Sequence, residues 1–310
     1  MRVVITGGAG FIGSHLADAC RAAGDEVVCL DDLSAGREEN CSGNELVMGD
    51  VTDRGCLDGV MQGADMVFHL AARRAVPLSV EDPAGTDRVN TFGTLAVLIA
   101  ARDAGVRRVV STSSSSVYGG VAEVPTREDS PLVPRSPYAV SKVAGEHYCR
   151  VFHELYGLET VVLRPFNVFG PRQRPDSAYA AVIPLFVQAA IEGRSPVIQG
   201  DGSQSRDFTY VDDCVQAFRR AAEAPAATAS GRAYNAAAGG ETTVAELWDR
   251  ICELTGGGPP PAYEEPRAGD VARSRADLSA ARRDLGYEPQ VSLTEGLERV
   301  LDWVASSARG

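Results

Sequence analysis

The 310-residue chain carries 42 acidic against 30 basic residues, a formal net charge of −12 at pH 7, and this balance disfavours nucleic acid and anionic membrane surfaces as partners. Its apolar content of 44% is ample for a core, while the longest apolar runs are of strand length, far short of the roughly 20 residues of a membrane span. The length suits one large α/β domain, or one with a smaller second lobe.

In chain order, Arg2–Thr6 reads as a first strand. Gly7-Gly8-Ala9-Gly10-Phe11-Ile12-Gly13 follows it and opens a helix near 12–23. Glycines at these spacings allow a tight turn, close approach of backbone to a pyrophosphate and tight helix–strand packing. The second strand, Glu26–Leu30, ends at Asp31-Asp32. A carboxylate there accepts hydrogen bonds from ribose hydroxyls and repels a 2′-phosphate, so NAD is expected over NADP. Strand Glu45–Met48 leads to Asp50-Val51, placed to flank an adenine, with Asp50 accepting from its exocyclic amine. Helix 54–62 and strand Met66–Leu70 follow, and Leu70-Ala71-Ala72 offers small residues where a cofactor must pass. Helix 86–104, strand Arg108–Ser113, helix 137–156 and strand Thr160–Arg164 complete a βα alternation. That alternation predicts a Rossmann-type, doubly wound parallel sheet with helices on both faces. Beyond about residue 170 the runs Ala180–Gly193, Tyr210–Ala224, Val244–Gly256 and Leu293–Ser306 read as helices, separated by short strands near 196–199 and 233–237. The expected division is a dinucleotide-binding domain over 1–165, to which part of 200–240 returns, and a substrate lobe over 166–310.

Lys142 is the only lysine among the 30 basic residues. It stands four positions after Tyr138, so on a helix the two share a face. A compact ammonium there reaches a ribose, and its charge is expected to lower the pKa of the Tyr138 phenol, which titrates near ~10 when free. The serine run 111–116 ends the fifth strand, at the carboxyl edge of a parallel sheet where ligands bind. The seven cysteines (20, 29, 41, 56, 149, 214 and 252) are scattered without a CxxC pair. They read as reduced thiols of a cytoplasmic protein. The N-terminus runs straight into a strand and does not read as a signal peptide. Histidines 15, 69, 147 and 153 show no ligand constellation, so no metal is expected.

The stretches Thr6–Leu16, His69–Ala72, Ser113–Gly119, Pro137–Lys142, Leu163–Pro171, Gly200–Asp212 and Gly269–Asp277 run nearly end to end. With them the chain resembles the extended short-chain dehydrogenase/reductases, specifically the NAD-dependent nucleotide-sugar epimerase/dehydratases. The resemblance implies Tyr138 as general base and acid, Lys142 as ribose contact and tuner of Tyr138, and Ser114 as helper hydroxyl. The cofactor contacts expected are Gly7, Gly10, Phe11, Ile12, Gly13, Asp31, Asp32, Asp50, Val51, Leu70, Ala71, Ala72, Arg74, Asn90, Tyr138, Lys142 and Pro165. Asn167, Arg206, Arg267 and Asp270 resemble the family's contacts to the substrate nucleotide. Members that eliminate water or CO₂ carry carboxylates where this chain has Ser115 and Ser116, which leaves 4-epimerisation of a UDP-sugar as the expected reaction. Arg174, with Ser115 and Ser116, resembles the carboxylate-holding groups of the UDP-glucuronate 4-epimerases. Ala178–Pro184 and Ser274 instead resemble UDP-N-acetylhexosamine 4-epimerases. The first expectation is therefore UDP-glucuronate to UDP-galacturonate, with UDP-N-acetylglucosamine or UDP-glucose as alternatives. A 4-ketoreductase, dehydratase or decarboxylase comes after these. Relatives pair through the helices over 86–104 and 137–156, so a homodimer is expected.

Overall fold

The computed structural model describes residues 1–120, 122–175, 181–266 and 271–307. The first half alternates β1 (Arg2–Thr6), α1 (Phe11–Ala22), β2 (Glu26–Asp31), β3 (Glu45–Met48), α2 (Arg54–Met61), β4 (Met66–His69), α3 (Val76–Glu81), α4 (Pro83–Asp87), α5 (Gly93–Asp103), β5 (Arg108–Thr112), α6 (Pro137–Tyr156) and β6 (Glu159–Pro165). Shorter pieces follow: β7 (Val168–Phe169), α7 (Val182–Ile191), β8 (Val197–Gln199), β9 (Ser205–Arg206), β10 (Thr209–Tyr210), α8 (Val211–Glu223), α9 (Ala226–Ala229), β11 (Arg232–Ala236), β12 (Thr242–Thr243), α10 (Val244–Thr255), β13 (Ala262–Glu264), α11 (Ser279–Leu285) and α12 (Leu293–Ser307).

Seven parallel strands form the central sheet in the order β11-β6-β5-β4-β1-β2-β3. Along β1, Val3 and Ile5 join the core on one face and Val4 the core on the other. A strand buried on both faces needs such a continuous apolar run. The chain winds β1-β2-β3 outward, then restarts at β4 on the other side of β1. This reversal opens a crevice at the carboxyl ends of β1 and β4, where open α/β sheets bind ligands. The last sheet strand, β11, comes from beyond residue 200, so the second half is stitched into the sheet's far edge.

One expected helix differs in detail, and two short helices are additional. The helix over 86–104 is interrupted: a π-helical turn, Arg88–Phe92, separates α4 from α5. Helix α3 lies where no helix was expected, as does α11. No helix among the described residues is long and apolar enough to cross a membrane.

Candidate active site

The crevice holds a cavity of about 980 Å³. Its floor is the turn after β1. Gly7 has φ +74°, and a Cβ there would lie 2.7 Å from the Ala71 nitrogen. A Cβ at Gly13 would lie 2.1 Å from the Gly7 carbonyl oxygen, so the first turn of α1 packs directly on the loop. Gly10 caps α1 without a side-chain acceptor, and the helix N-terminus offers its N–H groups to an anion. At the end of β2, Asp31 is 7% exposed. One of its oxygens accepts from the Ala9 nitrogen at 3.0 Å and the other from Leu33 at 2.9 Å. Burial pushes this carboxyl up, and the two N–H groups oppose that shift.

Of the cofactor contacts expected from sequence, Gly7, Gly10, Phe11, Ile12, Gly13, Asp31, Asp32, Asp50, Val51, Leu70, Ala71, Ala72, Arg74, Tyr138, Lys142 and Pro165 line this one cavity. Asn90 does not. It is 1% exposed, its Oδ1 accepts from the Arg73 nitrogen at 2.8 Å, and its Nδ2 donates to the Arg73 carbonyl at 3.1 Å and to Ser141 Oγ at 3.0 Å. The amide bonds to the Arg73 backbone and to Ser141, outside the cavity lining. Of the substrate set, Arg174 lines the cavity while Ser115, Ser116, Asn167 and Arg206 lie outside its lining. Arg267 and Asp270 lie outside the described residues, as do Ala178, Tyr179 and Ala180. Arg206 donates to the Ser205 and Val271 carbonyls. Asn167 holds an exposed left-handed turn (φ +28°) between β6 and β7.

Ser136 accepts from the Ala139 nitrogen at 3.1 Å, and Pro137 follows it, so α6 starts abruptly and puts Tyr138 in its first turn. Tyr138 is 8% and Lys142 7% exposed. Ser114 ends the segment after β5, and its Oγ accepts from the Ser116 nitrogen at 3.2 Å and from the Ser116 hydroxyl at 2.9 Å. The Ser114 hydroxyl lies on the Tyr138 side of the cavity and favours the charged form of the phenol. Ser116 therefore serves the site from behind, through Ser114.

The protein's own groups do not by themselves give the expected lowering of the Tyr138 pKa. Burial pushes the phenol up from its ordinary value, against the pull of Ser114 and of the Arg74 charge. Lys142 is not the cation that opposes burial there: its ammonium donates to the Thr112 carbonyl at 2.9 Å and lies 5.9 Å from the Tyr138 ring centre. Burial also lowers Lys142 itself to about 8, with Cys149 and Glu146 pulling the other way. Behind it, Glu146 pairs with Arg164 at 2.7 Å and accepts from Ser113, and both charges are buried.

Sequence reasoning passed over several groups. Ser34, Gly36, Arg37 and Asn40 wall the end of the cavity next to Asp31, and Val168, Gln173 and Trp303 wall another part. A Cβ at Gly36 would lie 2.8 Å from Ala9, so this loop packs closely on the glycine turn. The Oγ1 of Thr112 and the Oε1 of Gln173 are buried without a partner among the described residues, and both residues border the cavity. Such atoms fit a ligand rich in hydroxyl and amide donors, and the glycine cradle with its helix N-terminus fits a diphosphate. A dinucleotide meets both requirements. A second cavity of about 930 Å³ lies between β8, β13 and the segment around Arg273.

A parallel sheet with this switch point, a glycine turn, an acidic β2 end and a half-buried Ser114 beside buried Tyr138 and Lys142 define a class. Residues 3–237 match the NAD dependent epimerase/dehydratase family, and the chain belongs to it. It is an enzyme, and NAD is its cofactor. A Mycolicibacterium smegmatis protein named UDP-glucose 4-epimerase is 44% identical over 318 residues, covering 100% of both chains. The structure is also similar to that of UDP-glucose 4-epimerase from Thermotoga maritima with UDP-glucose, at a TM-score of 0.95 and 36% identity, covering 99% of this chain and 100% of that one. A UDP-N-acetylglucosamine 4-epimerase from Methanobrevibacter ruminantium, in complex with UDP-N-acetylmuramic acid, superposes with a TM-score of 0.93 at 38% identity, covering 99% and 98%.

Proposed function

We propose that the enzyme interconverts the C4 epimers of a UDP-sugar through a transient 4-keto sugar. Bound NAD supplies the acceptor and donor of the C4 hydride, so net redox is zero. Tyr138 removes the proton of the C4 hydroxyl and returns it after the keto sugar has turned its other face. Ser114 holds the phenol oxygen, and Lys142 contacts the ribose. Residues 1–165 carry the cofactor, and residues 166–310 carry most of the nucleotide sugar.

One observation carries the choice of reaction. The carboxylates lining the cavity among the described residues are Asp31, Asp32, Glu39 and Asp50, all from the β2–β3 side. The positions beside Ser114 hold serines, one of them spent on Ser114 itself. Elimination at C5 and C6 needs a proton carrier near the phenol, and 4-epimerisation needs Tyr138 alone. Tyr138→Phe is expected to lower turnover by at least about 10²–10⁴-fold while UDP-sugar binding persists. Near-normal turnover of that variant contradicts the mechanism.

For the sugar, the similarity to proteins named for UDP-glucose favours the UDP-glucose/UDP-galactose pair. A second reading, UDP-glucuronate, keeps one specific support: Arg174 lines the cavity, and a sugar carboxylate needs a cation or several donors there. Ser115 and Ser116, the other two groups of that reading, lie outside the lining. Relative turnover of UDP-glucose, UDP-N-acetylglucosamine and UDP-glucuronate separates these readings. The working form is proposed to be a homodimer. Val76 and Val80 on α3, Phe92 on the π turn and Val140 on α6 are exposed apolar residues on adjoining helices, a pattern that suits a second copy.

A further inference from the structure

We propose that His69 is a positioning residue for the reaction: as its Nε2–H tautomer it joins the turn that cradles NAD to the helix that carries Tyr138, through one directed chain of buried hydrogen bonds. The inference rests on the reading of Tyr138 as the base and of the glycine turn as the NAD cradle. His69 ends β4 and lies level with Thr6, the last residue of β1 before Gly7. Its Nδ1 stands 2.7 Å from Thr6 Oγ1, and its Nε2 stands 2.9 Å from Oγ1 of Thr94, in the first turn of α5. Thr6, His69, Asn90, Thr94 and Ser141 are each at most 5% exposed, so water does not compete for these bonds.

Donor counting fixes the direction of the chain. The Thr94 hydroxyl has one proton and gives it to the Asn90 carbonyl at 2.6 Å. Toward His69 it can therefore only accept, and Nε2 must carry the hydrogen. Burial keeps the ring neutral, its pKa lowered to about 3, and the Lys142 charge acts in the same sense. Nδ1 is then bare and accepts the Thr6 proton, while Thr6 Oγ1 accepts from the Ala71 nitrogen at 3.4 Å. Past its carbonyl, Asn90 continues the chain through its side chain: Nδ2 donates to Ser141 Oγ at 3.0 Å, and Ser141 donates to the Tyr138 carbonyl at 2.7 Å. Its Oδ1 accepts from the Arg73 nitrogen at 2.8 Å, which fixes the orientation of the amide. Every bond thus points the same way, from Ala71 beside the glycine turn to the first turn of α6, and bonds aligned in this manner polarise one another. Gly7, Ala71 and Ala72 line the cavity at one end of the chain and Tyr138 at the other, while His69 lies outside the lining. Hydride and proton must leave the same sugar carbon and its hydroxyl in register, and a misplacement of ~1 Å costs about 10²-fold. His69 acts on that register by setting the spacing between the two walls.

The test joins nitrogen NMR of the histidine rings to the kinetics of two Thr94 variants, all on NAD-loaded enzyme. The His69 signal is the one absent from His69→Gln, and at pH 7 it is expected to show a proton on Nε2 and none on Nδ1. A proton on Nδ1, alone or together with Nε2, overturns the proposal. Thr94→Val removes the acceptor and is expected to lower kcat about 10–100-fold, with the UDP-sugar KM within about twofold of wild type. Thr94→Ser keeps the hydroxyl and should restore kcat. An unmoved kcat in Thr94→Val, or equal losses in both variants, overturns the positioning role. The wild-type spectrum decides the tautomer even where Thr94→Val fails to fold. Near-normal turnover of Tyr138→Phe with the expected His69 spectrum would sink the base reading alone.

Discussion

Lys142 shows how a functional residue works against its own fold. Burial lowers its pKa from 10.5 to about 8, so the folded chain holds this proton less tightly than the unfolded one. Between those two values the unfolded state binds more protons, and stability therefore rises as pH rises from about 8 to 10.5. Below pH 8 the protein carries the full penalty, at most about 3 kcal/mol. Lys142→Met removes the charge and also the bond to Thr112. It is expected to abolish turnover and yet stabilise the NAD-free protein by about 1–3 kcal/mol at pH 7, with the gain vanishing near pH 10.5. Urea denaturation at the two pH values checks this, and destabilisation at pH 7 contradicts it. The sequence made the Tyr138–Lys142 pair legible through its spacing. It did not make the sign of the Tyr138 shift legible, because that sign depends on burial by segments distant in the chain.

At the scale of elements, helix α6 was readable to the residue. Ser136 caps it, Pro137 opens it, and Gly157 closes it in a left-handed conformation at φ +70°. The strands of the main sheet were equally plain, because each is a short apolar run bounded by turn residues. What escaped were pieces without a period of their own. Helices α3 and α11 have six and seven residues. Two-residue strands such as β7 and β10 exist only through each other. The π turn depends on the side-chain bonds of Asn90 and Thr94, the latter donating to the Asn90 carbonyl at 2.6 Å. The glycine turn was readable and also carries a sharp expectation. Gly13→Ala places a methyl 2.1 Å from the Gly7 carbonyl oxygen, so the loop must shift at a cost of about 1–3 kcal/mol. NAD affinity is expected to fall about 10–100-fold with the circular dichroism unchanged. Stoichiometric NAD retained by this variant, at wild-type affinity, contradicts the cradle.

The whole molecule combines a sheet, six of whose seven strands come from the first 165 residues, with a second half whose site residues were harder to place. The second half supplies β11 to the sheet, and Val168, Gln173, Arg174 and Trp303 to the cavity wall. The proposed dimer belongs to this scale: Val140→Glu, on the exposed face of α6, is expected to shift sedimentation from a dimer to a monomer mass, and a wild type that already sediments as a monomer contradicts it. The central claim is the reaction itself. NAD-loaded enzyme incubated with UDP-glucose, UDP-N-acetylglucosamine and UDP-glucuronate in separate samples, followed by proton NMR at C4, tests it most directly. The account expects at least one of these to reach an equilibrium mixture of its C4 epimers without net reduction of NAD, UDP-glucose first among them. No epimer from any of the three, or a dehydrated, decarboxylated or stoichiometrically reduced product instead, would contradict it.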